Sequence, residues 1–420
     1  MKFAHIADCH LGGWREPKLQ QLNLETFREA IRRCISEKVD FVIFAGDIFD
    51  SALPATEILE NAIEQFRILK ENNIKSFIIA GSHDFSASGK TFLNVIEKAG
   101  LCRNIGTTET DENKENRLKI FSEKFANDFQ VVFAGYYGRK AGLEQEFLRK
   151  ITPEKLDSAE KSFKILALHT TLTEAKPKGL EMMESIGISE LPKGFDYYAL
   201  GHLHLFFEKK DENRNYVYPG PLFPNNFEEL EGLKQGSFVI VNVADDDNNA
   251  VSVEKQVLNL KKVLVLEIDA DNLSPLELTD KILRNLRARE QEIKDKIMML
   301  KISGTLKEGK TSELNFESIN KEAERLGAFV FLKNTHSLSS SEFKELELEN
   351  SNKTVEEIEQ EIIKKYFADK KENLDFNPKL VFELVNAMNF EKQDGQTRPV
   401  FENKILSDAS KLLNIDKIMN

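Results

Sequence analysis

KFAHIADCH, residues 2–10, is an apolar run that stops on two ligand-type side chains, Asp8 and His10. Side chains alternate across a strand. Asp8 and His10 therefore share a face, Cys9 points away from them into packing, and His5, three residues before Asp8, belongs to the core. The same design recurs along the chain. DFVIFAGD (40–47) ends on Gly46-Asp47, SFIIAGSHD (76–84) on Gly81-Ser82-His83-Asp84, KILALHTT (164–171) carries His169, and YYALGHLH (197–204) ends on Gly201-His202-Leu203-His204. QVVFAGYY (130–137) ends without such a residue. Helix-period segments lie between them, from Leu22 to Ser36 and from Ala55 to Glu71. The second repeats apolar residues at Ile58, Leu59, Ala62, Ile63 and Phe66. Short strands alternating with helices predict an α/β layered fold.

Ligands of open α/β sheets bind beyond the carboxyl ends of the strands. Five of the seven histidines fall there, a placement that scattered surface histidines do not produce. Mixed carboxylate and imidazole donors suit Mn²⁺, Fe²⁺ or Zn²⁺ better than the all-oxygen shells of Ca²⁺ or Mg²⁺. Two carboxylates (Asp8, Asp47) and four histidines (His10, His169, His202, His204) exceed the needs of one ion. A carboxylate shared by two ions would use them all, the arrangement of two-metal hydrolases. His83 is then free to donate a hydrogen bond or proton to a phosphate or leaving oxygen. Asp50 and Asp84 adjoin these residues and are candidates to orient them.

Residues 1–250 form the first expected domain, closing with the strand GSFVIVNV and the acidic turn ADDDNN. Residues 258–336 read as a small α+β module, with strands in KVLVLEID, KIMMLKISGTL and AFVFLKN and helices from Pro275 to Ile293 and Ile319 to Leu326. Residues 337–352 are a polar linker by composition. Residues 353–420 read as helical. Thr354 and Glu357 form a capping pair ahead of Val355, Ile358, Ile362 and Tyr366. Two more apolar stripes follow: Leu380, Val381, Leu384, Val385, Met388; and Ile405, Leu406, Ala409, Leu412, Leu413. Stripes beyond a polar linker suit docking of a partner helix. His336 matches no motif and reads as surface. Trp14 reads as packing or as a stacking platform. Arg284, Arg287, Arg289, Lys294, Lys296 and Lys301 are interleaved with acids, so they suit phosphate contact or a solvated face equally.

A net charge of −12 disfavours a protein that coats nucleic acid nonspecifically, although bound cations would invert the local field. Three widely spaced cysteines fit no zinc pattern and suggest a reducing compartment. With neither a signal-like start nor a run long enough to span a bilayer, the expected location is the cytoplasm, away from membrane.

The order D-x-H, GD, G-x-H-D, a lone H and GHxH resembles the calcineurin-like metallophosphoesterases. HIADCHLG, AGDIFD, YYALGHLH and the YPGP loop are most similar to the SbcD-type nucleases, the Mre-eleven family of double-strand-break repair. The resemblance implies a two-sheet metallophosphoesterase sandwich flanked by helices, a small DNA-capping domain and a C-terminal helical segment. It implies that Asp8, His10 and His204 hold one ion, that His169 and His202 hold the other, that Asp47 bridges, and that His83 is the catalytic histidine. It also implies a Mn²⁺-dependent exonuclease and endonuclease acting on DNA with an SbcC-type coiled-coil ATPase (Rad-fifty-like), docked on the C-terminal helices. A homodimer would be built from the segments 55–71 and 91–99. Ser82 stands where the family usually has Asn, leaving a shorter and poorer ligand for the second ion. Two other readings compete: a phosphoesterase for small nucleotides, which leaves the C-terminal third without a purpose, and a weakly catalytic scaffold that tethers DNA.

Overall fold

Alternating side chains in the apolar runs feed two sheets that share a core. In the computed structural model the described residues are 1–86, 89–110, 116–125, 128–139, 142–151, 162–179, 182–211, 214–244, 250–341, 357, 360, 363–364, 378–388 and 398–413. The first sheet has the order β14 (Val251–Leu258), β13 (Gly236–Val243), β1 (Lys2–Ile6), β2 (Phe41–Ala45), β3 (Lys75–Ile79) and β4 (Arg103–Asn104). Strands β1 to β4 run parallel, with β13 antiparallel to β1 and β14 antiparallel to β13. The second sheet has the order β11 (Phe206–Asp211), β12 (Arg214–Pro219), β10 (Tyr197–Gly201), β9 (Ser162–His169), β8 (Gln130–Tyr136) and β7 (Phe121–Lys124). Its four central strands are parallel and its two edges antiparallel. Strands β5 (Thr108–Thr110) and β6 (Asn116–Leu118) pair with each other.

Neighbouring residues of one strand enter different cores. Phe3, Phe41, Phe77, Phe133, Phe163, Tyr197 and Val239 fill the layer between the sheets. Ala4, Ile6, Val42, Phe44 and Ile78 pack outward with residues of α1 (Pro17–Ser36), α2 (Thr56–Glu71) and α3 (Leu93–Lys98). The second sheet turns Ala134, Leu166, Tyr198 and Leu200 toward Leu148 of α4 (Leu143–Lys150). A slip of one residue would exchange the two sets, so the register is strongly specified. His5 lies in the inter-sheet core, as its position in β1 implies. Its Nδ1 is 3.0 Å from the Tyr197 hydroxyl, and burial lowers its pKa to about 3, so it stays neutral.

Element ends depart from the sequence reading for local reasons. Helix α1 starts at Pro17, five residues before Leu22, because proline suits the first turn and the Glu16 carboxylate accepts from the Lys18 N–H. Strand β14 carries the first sheet through Leu258, past the expected end at 250. A third sheet has the order β15 (Val263–Asp269), β16 (Ile297–Leu306), β17 (Val330–Ser340). Helix α5 (Phe227–Leu233) precedes it in the chain, and α6 (Pro275–Ala288), α7 (Glu290–Ile293) and α8 (Phe316–Arg325) are interspersed with its strands. The helix expected from Pro275 to Ile293 is thus broken near Arg289. Strand β17 runs to Ser340, four residues into the expected 337–352 linker, with Leu338 and Ser340 buried in alternation. Residues 342–352 and the apolar positions Val355, Ile358, Ile362 and Tyr366 lie outside the described residues, as does most of the ADDDNN turn. The two later stripes fall on α9 (Pro378–Met388) and α10 (Arg398–Leu412).

The chain forms two compact units, and they do not divide near 250. One holds Met1–Asp269, Leu276–Ser303 and Asn315–Ser337; the other holds Ala270–Pro275, Gly304–Leu314 and Leu338–Asn420. The physical reason is a shared core: Ile297, Met299 and Val330 of the third sheet bury with Leu19, Leu22 and Leu230. Within the second unit, the Thr305 N–H donates to Asp271 and the Lys307 N–H to the Leu273 carbonyl. Among the described residues no helix is long and apolar enough to cross a membrane.

Candidate metal centre

The carboxyl ends of β1, β2, β3, β9 and β10 converge. Beyond β1 the chain keeps pairing with the segment after β2: Asp8 N donates to Gly46 O (3.1 Å), His10 N to Asp47 O (3.0 Å) and Leu11 N to Ile48 O (2.9 Å). Asp8, His10, Asp47 and His202 adopt positive φ (51°, 41°, 49° and 97°), a region that L residues avoid. Four of the ten such non-glycine residues among those described are therefore site residues. Strain of this kind persists only where the surroundings over-determine the conformation, and here the side chains do so. The Asp8 carboxylate accepts from the His202 N–H (2.9 Å), and Asp47 Oδ1 accepts from the His83 N–H (2.8 Å). A Cβ on Gly46 would run into the His169 ring, and one on Gly81 into Asp47, so both glycines are required by close approach.

Asp8, His10 and His204 offer ligand atoms within 4.8 Å of one another, and so do Asp47, His169 and His202. Asp47 Oδ2 lies between the two sets, 3.1 Å from His169 Nε2 and 3.8 Å from His10 Nε2. A third grouping of His10, Asp50 and His83 has a different character. There Asp50 gathers both rings, its Oδ1 3.2 Å from His10 Nδ1 and its carbonyl 2.9 Å from His83 Nδ1, so these nitrogens are occupied by hydrogen bonds.

The remaining partners reveal what the inward atoms are for. His10 Nδ1 faces Asp50, His204 Nδ1 faces Glu229 Oε1 at 3.0 Å, and His169 Nδ1 faces the Ala45 carbonyl at 2.9 Å. With Nδ1–H donating in each, Nε2 is the nitrogen turned inward, able to ligate once it carries no proton. His10 Nε2 and His204 Nε2 are 3.1 Å apart, so the two rings turn the same nitrogen toward one point. His169 Nε2 is buried without a hydrogen bond, although Asp47 Oδ2 is near. The donor sets therefore fit divalent metal ions.

Charges in this cluster are strongly coupled. Burial opposes a charge on Asp47, but His169 and His10 outweigh it and hold the carboxyl well below its usual range. Burial likewise disfavours His169⁺, yet Asp47 raises that imidazole to about 10. His202 is pushed down to about 3, by burial and then by its neighbour His169, and is ready to ligate as the neutral ring. Burial raises Asp8. Asp84 is raised to about 6 by burial and by Asp47. Its carboxylate nonetheless accepts from the backbone N–H groups of Gly81, Phe49 and Ile48, which ties the loops after β2 and β3 together.

A cleft of about 830 Å³ opens beside these residues, lined among others by His83, Ser82, His202, Asp50 and Arg139. His83 is half exposed there. Ser82 lines the cleft next to it. Cys9 is fully buried in the outer core, as expected. Trp14 packs near Phe223, its indole N–H donating to the Pro224 carbonyl (2.8 Å). His336 is exposed on β17. Of the six basic residues singled out, Arg287 pairs with Glu322 and Lys301 with Glu231. Glu229, Asn225 and Arg139 escaped the sequence reading. Asn225 donates to Asp50 Oδ1 (3.0 Å). The legible signal was Asn226-x-x-Glu229, a side-chain N-cap with an acid at the third helical position, five residues after the YPGP loop. Nothing local marks Arg139.

Residues 1–206 match the calcineurin-like phosphoesterase family. The chain is 26% identical over 352 residues to the DNA double-strand break repair protein Mre11 of Archaeoglobus fulgidus, covering 78% of this chain and 76% of that one. It is 27% identical over 293 residues to the Mre11 of Methanocaldococcus jannaschii (68% and 74%) and 30% identical over 280 residues to that of Sulfurisphaera tokodaii (64% and 66%).

Proposed function

We propose, on the premise that this chain is a calcineurin-like metallophosphoesterase of the Mre11/SbcD type, that the phosphodiester it hydrolyses is that of DNA at double-strand breaks. The observation that carries the reading is the pair of ligand-type clusters beside a cleft that contains His83, with Asp47 Oδ2 3.1 Å from His169 Nε2 of one and 3.8 Å from His10 Nε2 of the other. In this reading Asp8, His10 and His204 would hold one ion, His169 and His202 would hold the other, and Asp47 would serve both. Ser82 stands beside the second set. Divalent cations held there, taken as two Mn²⁺, would supply acidification of water and neutralisation of charge on the phosphate.

The chain's own residues do the rest. Asp50 holds His83 through Nδ1, which leaves Nε2 as the nitrogen that donates to the phosphate or to the departing oxygen. Arg139, which lines the cleft, binds a neighbouring phosphate of the strand. Asp84 fixes the spacing of the loops that carry Asp47 and His83. Helices α9 and α10 dock a coiled-coil ATPase of the SbcC/Rad50 type, and the working form is a homodimer, as the family resemblance implies.

Cleavage of end-labelled duplex and single-stranded DNA, measured with and without Mn²⁺ against a cyclic nucleotide, tests the substrate. Metal-dependent cleavage of DNA is expected. Turnover of the small ester alone would support a small-nucleotide phosphoesterase, and metal-independent DNA retention without cleavage a tethering scaffold.

A further inference from the structure

Glu229 is held in place from several sides. It occupies the third position of α5, where its backbone N–H donates to the Asn226 side chain (2.9 Å). Its Oε2 accepts from the Asn225 N–H (2.9 Å), and its Oε1 from the Asn226 amide (2.6 Å). The helix itself is anchored elsewhere: Leu230 is buried with Leu19, Leu22, Ile297 and Met299, and Glu231 pairs with Lys301 at 2.8 Å. A helix cap needs only the backbone contacts. Oε1 does more, since it also lies 3.0 Å from His204 Nδ1.

We propose that Glu229 is a positioning residue for His204, fixing the Nδ1–H tautomer so that Nε2 points its lone pair into the first ligand set. The proposal rests on the metal-centre reading above. A carboxylate behind a ligating imidazole orients the ring and raises its basicity. Asn225, the preceding residue but one from Phe227, does the corresponding service for His10 by holding Asp50. One short segment, 225–229, thereby steadies both imidazoles of the first set. Because α5 is seated on the third sheet, that sheet contributes to the precision of the site without supplying a ligand.

The test is calorimetric Mn²⁺ titration of the full chain and its Glu229→Ala, Glu229→Gln and His204→Ala variants, with nitrogen NMR of the His204 ring in metal-free protein at alkaline pH. Glu229→Ala should weaken one binding step by roughly 10- to 100-fold and leave the other in place. Glu229→Gln, whose amide oxygen still accepts from Nδ1–H, should recover most of that loss. The wild-type ring should be the Nδ1–H tautomer, and Glu229→Ala should mix the two. A role confined to helix capping would lower Tm while both binding steps and the tautomer stayed as they were, and that result overturns the proposal. An Nε2–H tautomer in the wild type overturns it without any variant. Wild-type protein that binds no Mn²⁺, or His204→Ala that binds like wild type, would instead sink the metal-centre reading and this proposal with it.

Discussion

The residues of the site divide by what their second atom does. His10, His169 and His204 each spend Nδ1 on a fixed acceptor and turn Nε2 toward the other clustered side chains, whereas His83 is held by Asp50 at the cleft. His83→Ala should therefore fold and still bind two ions, while hydrolysis falls by roughly 10²- to 10⁴-fold, the usual contribution of a positioned proton donor. Elemental analysis beside a rate assay checks both halves, and lost metal would mean that His83 coordinates. His169 supplies a pH prediction. In the metal-free protein its pKa is raised to about 10 by Asp47 against the opposing effect of burial, so it is protonated at neutral pH. A cation must displace that proton, so affinity at the Asp47–His169–His202 set should rise with pH up to about 10, with about one proton released per ion from this ring. Calorimetry in buffers of different ionisation enthalpy counts the proton; a pH-independent affinity would show that His169 binds as the neutral ring throughout.

At the scale of elements, α3 separates the buried positions of the segment 91–99 from its outer face. Phe92, Leu93 and Ile96 recur at helical spacing after β3, and Leu93 invites use as an interface probe. It is fully buried in the core that joins the first sheet to α1 and α2, as is Ile96, while Val95 is about half exposed. Leu93→Ala should thus cost about 2–5 kcal/mol of stability by leaving a cavity, with no change of oligomeric state beyond unfolding. Val95→Glu alters only the outer face. If α3 takes part in a dimer, light scattering should find this second variant monomeric at unchanged Tm. A dimer that survives would place the interface on other elements. The two results separate packing from association, which a charge at Leu93 would confound.

For the whole molecule, the sandwich and the third sheet share a core, but the C-terminal helices α9 and α10 belong to the second unit. Leu406 of α10 is about two-thirds exposed, an apolar side chain suited to a partner. Deleting residues 354–415 should abolish capture of an SbcC-type ATPase while leaving Mn²⁺-dependent hydrolysis of small phosphodiesters intact. A truncated chain that fails to fold would show that these helices support their own body.

The strand ends were legible in the sequence because chemistry is concentrated there. A run such as KFAHIAD must alternate its faces, and Asp8, His10, Asp47, His169, His202 and His204 could be collected by the rule that parallel strands deliver their ligands at the carboxyl edge. Tertiary structure alone decided the rest. Which nitrogen each histidine turns inward depends on Asp50, the Ala45 carbonyl and Glu229, which lie 40, 124 and 25 residues from the rings they hold. The positive φ of Asp8, His10, Asp47 and His202 suits residue types that tolerate that region, and the backbone and carboxylate contacts among their loops hold it. The third sheet joined the first domain because Ile297, Met299 and Val330 found buried partners on α1 and α5, and no periodicity within residues 258–336 names those partners. Alternation and residue type are local properties of the chain. Hydrogen-bond partners and shared cores are set by contacts far apart in sequence, and only the folded chain brings them together.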